Sequence, residues 1–249
     1  MFDRSVGALF LTYAARLVAR GYVHNSLGNL AIRVPHPDHE RGVVYTKHAG
    51  VSLEEATLDS IVVTEVATPR LLHGTRPTSV GHQLNREVLR LRPDVNAVVH
   101  VHHDESIAFF TRGRELQVLS LDFALVMGAP IHVLSSHVNV ELDVAPLREF
   151  VGRTNAIVME NHGVTTFGRT VSEAYHRLNT LAAEVRRNIT ALSLAAATGD
   201  KVQVIDAESV EWAYRHGDSV IFPDPAAAPA LSPSSRRGRA ARPARVAPG

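Results

Sequence analysis

The chain has 249 residues, 45% of them apolar, with a formal net charge of +1 and no cysteine. That length and apolar share suffice for one compact core, and the lack of cysteine excludes disulfides, thiolate metal sites and cysteine nucleophiles, in keeping with a reducing cytoplasm. Much of the positive excess sits in Arg236, Arg237, Arg239, Arg242 and Arg245 with no motif or basic face behind it, so a nucleic-acid role is set aside.

The opening stretch Val6–Val18 is apolar but interrupted by Arg16 and lacks a cleavage site, so it is read neither as a signal peptide nor as a membrane span. Leu9, Phe10, Tyr13, Leu17 and Val18 recur at helical spacing and predict an amphipathic helix packed on the body. Strands follow at Asn29–Val34, Gly42–Thr46 and Ser60–Glu65, then a helix from Val80 to Leu91 that ends before Arg92-Pro93-Asp94. Ala97–His102 is a continuous apolar run punctuated by histidines and reads as a buried strand. Further on, His103–Thr111 reads as helix, Ile131–Leu134 as strand, Leu147–Val151 as helix and Ala156–Met159 as a short buried strand. A long helix over Ser172–Ala197 and a last one over Ala207–His216 close the domain, expected to span 1–222. Residues 223–249 are rich in Pro, Ala, Ser and Arg and are expected to be disordered. Alternating helices and strands place the chain among α/β or α+β proteins.

Three histidines carry the chemistry. In a strand, side chains at i and i+2 share a face, so His100 and His102 can reach one ion from a rigid element. Alone, a His-x-His pair is a weak signal in a chain with 14 histidines. Glu160-Asn161-His162-Gly163 strengthens it, because it puts a third imidazole at the end of the Ala156–Met159 strand, with a glycine behind it where the loop can turn tightly. Three imidazoles leave an open coordination position, the pattern of a catalytic ion. Zinc, manganese, cobalt or iron would each suit a site without thiolates.

Over roughly residues 5–200 these motifs, in this order, resemble the class II aldolase/adducin family. The resemblance rests on Gly28-Asn29-Leu30-Ala31, on Arg92-Pro93-Asp94 followed by His100-Val101-His102, and on Asn161-His162-Gly163. It implies a three-layer α/β/α sandwich around a mixed central sheet, one divalent metal ion per subunit held by His100, His102 and His162, and a homotetramer with active sites between neighbouring subunits. It also implies that Asn29 contacts substrate and that Ser79 offers a hydroxyl.

Two departures shape the functional expectation. Sugar-phosphate aldolases of that family carry a catalytic carboxylate after a Pro-Ser-Ser-like turn, whereas Pro77-Thr78-Ser79-Val80-Gly81-His82 has Val80 or Gly81 in its place, with His82 the nearest ionisable group. His82 is equally readable as a polar residue at a helix start. In Thr46-Lys47-His48-Ala49-Gly50, Ala49 replaces a phosphate-holding threonine, while Lys47 and His48 offer groups that suit a carboxylate, unless Lys47 is an ordinary surface lysine.

An aldol reaction needs a base for a C–H proton, whereas decarboxylation needs an electron sink and a later proton donor. The expectation from sequence is therefore a metal-dependent decarboxylase of an ortho-hydroxylated aromatic dicarboxylate, such as the 3,4-dihydroxyphthalate decarboxylases that the chain resembles. An aldolase or epimerase acting on a sugar phosphate and a non-catalytic adducin-like binding module are the alternatives. Proton donors would be His82, His103 or Asp122. His103 serves only if its strand ends before it, and Asp122 would act in a neighbouring subunit's site or merely cap a helix. His132, His137 and His176 read as structural or surface residues, and Glu160 as a group that orients an imidazole or is simply solvated.

Overall fold

The computed structural model describes residues 2–222; the expected tail at 223–249 lies outside them. One eight-stranded mixed sheet organises the chain. Its strands are β1 (Asn29–His36), β2 (His39–Lys47), β3 (Ile61–Glu65), β4 (Leu71–His73), β5 (Ala97–Val101), β6 (His132–Leu134), β7 (Ala156–Met159) and β8 (Gly163–Gly168). They lie in the order β4-β3-β2-β1-β5-β8-β7-β6, with every pair antiparallel except the parallel β6–β7 edge. Seven helices cover the sheet: α1 (Arg4–Ala19), α2 (His82–Leu91), α3 (Asp104–Phe110), α4 (Leu121–Met127), α5 (Leu147–Phe150), α6 (Val171–Thr198) and α7 (Ala207–Val220). None is long and apolar enough to cross a membrane, among the described residues.

Strand alternation divides the core in two. Leu30, Ile32, Val43, Tyr45, Val99, Val101 and Val158 face one side, where they pack with Phe10 and Leu17 of α1, Phe109 of α3, Phe123 of α4 and Leu178 of α6. Ala31, Val44, Val98, Ile157 and Phe167 face the other, against Leu84 and Val88 of α2, Leu147 and Phe150 of α5, and Val140. This is the expected three-layer α/β/α arrangement. Helix ends follow their side chains: Asp3 accepts from the Ser5 amide to start α1, Thr170 from the Glu173 amide to start α6, and Gly199 in the left-handed conformation ends α6.

The predicted elements match in type, and three more were not predicted: β4, α4 and β8. The omission nearest the site is β8, which pairs with β5 and whose six residues are all buried. Its threonines disguise it. Thr165 Oγ1 meets His100 Nδ1 at 2.8 Å, and Thr166 Oγ1 donates to the Ala174 carbonyl at 2.8 Å, so polar side chains sit in the core with their bonding satisfied.

Candidate metal centre

β5 pairs with β1 and β8 in a register that sets Asn29, His100 and Thr165 side by side across three strands. His100 therefore shares the α2 and α5 side of the sheet with Val98. The strand ends at Val101, and His102 follows it immediately. His162 comes from the three-residue turn Glu160-Asn161-His162 between β7 and β8, where Met159 pairs with Gly163. That turn is made by Asn161 at φ 58°, a conformation asparagine tolerates better than most residues. Gly163 does a different job from the tight turn expected of it. A Cβ there would lie 2.6 Å from the Val101 carbonyl oxygen and 3.3 Å from His100 Cε1, so the glycine lets β8 close on the histidine-bearing end of β5.

His100, His102 and His162 converge, with a nitrogen from each lying within 4.8 Å of the other two. Their ring centroids are 5.0, 5.4 and 4.9 Å apart and every pair is edge-on, so the rings point inward instead of stacking. Burial pushes the His100 imidazole down to about 4, with Glu141 opposing and the other two imidazoles assisting, and burial also lowers His102. Both shifts favour the neutral form of His100 and His102, the form that ligates.

His100 fits an ion for a second reason. With Nδ1–H donating to Thr165, Nε2 holds a lone pair, and that atom is buried without any hydrogen-bond partner. An orphaned acceptor in a dry site costs stability unless something occupies the space it faces. A divalent cation is the partner such a trio of nitrogens suits.

The group that the sequence reading missed is Glu141, from the loop after β6. Its Oε2 lies 3.1 Å from His162 Nε2 and its Oε1 lies 3.7 Å from His100 Nε2. Burial opposes its ionisation, but the His162 hydrogen bond and the three imidazoles outweigh that and hold its carboxyl down at about 2. The side chain is anchored from behind. Val140 is fully buried, the Glu141 amide donates to Asn139 Oδ1 at 2.9 Å, and Gln83 Nε2 of α2 donates to the Glu141 carbonyl at 2.7 Å.

The other sequence-selected residues divide. Asn29 is buried beside His100, accepts from Asn85 Nδ2, and has its own Nδ2 near Gly81. Ser79 Oγ is buried without a partner in the turn leading to Gly81. Lys47 is not a surface lysine: it is 1% exposed and gives hydrogen bonds to the Ser26 and Val51 carbonyls, which ties down the loop before β1. His48 Nδ1 donates to the Ala49 carbonyl at 2.6 Å, and its backbone bridges Thr78.

None of the three expected proton carriers makes its contacts with the imidazole trio. His82 is buried against Thr64 Oγ1 at 2.8 Å. For His103 the strand does end in time, but the chain turns into α3 there, and the ring meets Ser106 Oγ, Glu105 and the edge of Tyr22. Asp122 sits in the first turn of α4, which Ser120 caps, and pairs with Arg187 of α6. His132 stacks on Phe150, and Glu160 accepts from the Ser136 amide, both structural roles.

Comparison with known proteins bears on the family and the fold. The family model described as "Class II Aldolase and Adducin N-terminal domain" matches residues 9–189. The L-fuculose phosphate aldolase of Methanococcus maripaludis is 26% identical over 179 residues, covering 69% of this chain and 89% of the aldolase. Rat (Rattus norvegicus) beta-adducin is 27% identical over 175 residues, covering 66% of this chain; the match spans only 24% of the adducin's length. Among solved structures, YgbL of Klebsiella pneumoniae, a candidate aldolase/epimerase/decarboxylase, superposes with a TM-score of 0.71 at 21% identity, covering 85% of this chain and 99% of that one. An L-fuculose 1-phosphate aldolase superposes with a TM-score of 0.70 at 17% identity, covering 86% and 96%. With its sheet order, its histidine motifs and a family match across most of its length, the chain belongs to the class II aldolase and adducin family.

Proposed function

We propose that this chain is a divalent-metal carbon–carbon lyase of the aldol type, acting on a small hydroxy-carbonyl compound such as a sugar phosphate. The observation that carries the reading is the inward-facing trio of His100, His102 and His162, with His100 Nε2 buried and unpartnered. These three nitrogens would hold the ion, which, when bound, supplies a Lewis acid for a developing enediolate oxygen. Thr165 fixes the His100 tautomer, and Asn29 lies where it can orient a substrate hydroxyl. Zinc is the natural first ion to test against imidazole donors, with cobalt, iron and manganese after it. The fold-level likeness to L-fuculose phosphate aldolases supports the sugar-phosphate class.

Decarboxylation is favoured over aldol chemistry where a site lacks an acid, and here Glu141 lies 3.1 Å from His162. One observation still favours a decarboxylase of an ortho-hydroxylated aromatic acid as the second reading. Ala49 leaves the loop after β2 without the hydroxyl expected to bind phosphate. Within that loop, His48 remains as a polar side chain. A non-catalytic, adducin-like binding role gives no account of the orphaned His100 nitrogen. By family likeness the proposal includes a homotetramer, in which Asp122 would be available to a neighbouring subunit.

Metal-loaded protein incubated with a panel of sugar phosphates and ortho-hydroxy aromatic acids separates these readings. Aldehyde release from a sugar phosphate supports the aldol reading. Carbon dioxide release from the aromatic acids alone overturns it in favour of the decarboxylase.

A further inference from the structure

Glu141 and Gly81 occupy complementary space. A Cβ built on Gly81 would lie 1.9 Å from Glu141 Oε1 and 2.9 Å from Glu141 Cδ, with Asn29 Nδ2 at 2.6 Å. Any side chain at 81 would thus displace the carboxylate. The backbone at Gly81 has φ −62° and ψ −8°, an ordinary helical conformation that places no demand for glycine. Its lack of a side chain is useful here for volume alone.

We propose that Glu141 is the fourth donor of the metal centre and that Gly81 is the seat that admits it; this rests on the metal-lyase reading. A role limited to steadying His162 would use one oxygen. Oε2 lies 3.1 Å from His162 Nε2, while Oε1 lies 3.7 Å from His100 Nε2, too far for a hydrogen bond, and that nitrogen has no other partner. An oxygen of a carboxylate side chain only 13% exposed and a buried imidazole nitrogen, both acceptors, face the same spot. Acceptors so placed share a cation; donors ~2.0–2.1 Å from a tetrahedral ion are separated by roughly 3.3 Å. The loop is built to hold the group there, because α2 clamps its backbone through Gln83, which donates to the Glu141 and Leu142 carbonyls at 2.7 and 3.2 Å, while Val140 plugs into the core. The site's carboxylate thus comes from the loop after β6, inserted over the start of α2, and not from the turn that precedes α2.

Chelator competition with zinc, together with the visible absorption of the cobalt-loaded protein, tests the assignment on wild type, Glu141→Gln, Gly81→Ala and the double variant. Glu141→Gln keeps the side chain's shape, and Gly81→Ala suits the local backbone, so near-ultraviolet circular dichroism should show both folded. The expected result is zinc affinity lowered at least tenfold in each single variant, with an altered cobalt spectrum. The double variant should be little weaker than either single one, since both act through one carboxylate. Zinc affinity of Glu141→Gln within twofold of wild type, or a cobalt spectrum identical to wild type despite weaker binding, overturns the assignment alone. Wild-type protein that takes up no metal overturns the metal-lyase reading as well.

Discussion

Thr165→Val isolates the contact that prepares His100. Valine preserves the shape of the side chain in the middle of a fully buried strand, so packing with β5 and β7 is retained and only the hydroxyl is lost. His100 is itself fully buried and Nδ1 has Thr165 Oγ1 as its partner at 2.8 Å. Without it, either Nδ1–H is left without an acceptor or the ring changes tautomer and loses the lone pair on Nε2. The first alternative costs ~1–3 kcal/mol of folding stability in metal-free protein. In metal-loaded protein, loss of the group that orients a ligating histidine typically weakens the ion by about 10–100-fold. Urea unfolding without metal and chelator competition with zinc measure the two effects. A variant within about 0.3 kcal/mol of wild type and within twofold in zinc affinity would refute the reasoning that Thr165 sets the His100 tautomer.

Other expectations follow from neighbouring contacts. Gly163→Ala forces a Cβ to within 2.6 Å of the Val101 carbonyl, which urea unfolding should register as roughly 1–3 kcal/mol of destabilisation, with weaker zinc binding as β5 is pushed off His162. His82 is held neutral by burial, with Arg86 assisting, and pushed down to about 3. Because its folded value is depressed, its contribution is fully present above about pH 6.5 and is lost as pH falls towards 3; between pH 7.5 and 5.5 that loss is about 1.4 kcal/mol. His82→Gln should flatten the stability curve over that window, and an unchanged slope would contradict the assignment. Glu184 is fully buried and accepts from the Leu119 and Ser120 amides and from Ser120 Oγ, so Glu184→Ala should cost ~2–5 kcal/mol while leaving zinc affinity unchanged.

What could be read from the chain was what periodicity and motif order encode. The helical spacing of Leu9, Phe10, Tyr13, Leu17 and Val18 and the apolar run into His100 sufficed for α1 and β5; strand alternation suggested His100 and His102, and the end of the Ala156–Met159 strand suggested His162. β8 was hidden because its two central threonines bond to His100 and to the start of α6, partners that only the folded chain brings near. Glu141 was invisible for a related reason. Nothing in Asn139-Val140-Glu141-Leu142 separates it from a hydrated surface acid, and its meeting with His162 depends on how Val140 and Gln83 seat the loop. The glycine at 81 was the one trace of it in the sequence: a small residue where an acid was expected marks space that another group can enter. His103 shows the converse error. It suits a proton donor on condition that its strand ends before it; the strand does end, but the turn into α3 directs its ring to Ser106 and Glu105.

The central claim is that His100, His102 and His162 hold one catalytic ion. Calorimetric titration of metal-stripped protein with zinc tests it most directly, run beside His102→Ala and His162→Ala, two ligand changes at partly exposed positions. Wild type should take up one zinc per chain, and each variant should bind it more than a hundredfold more weakly. Substoichiometric uptake by wild type, below about a tenth of an ion per chain, or variants that bind as wild type does, would contradict it.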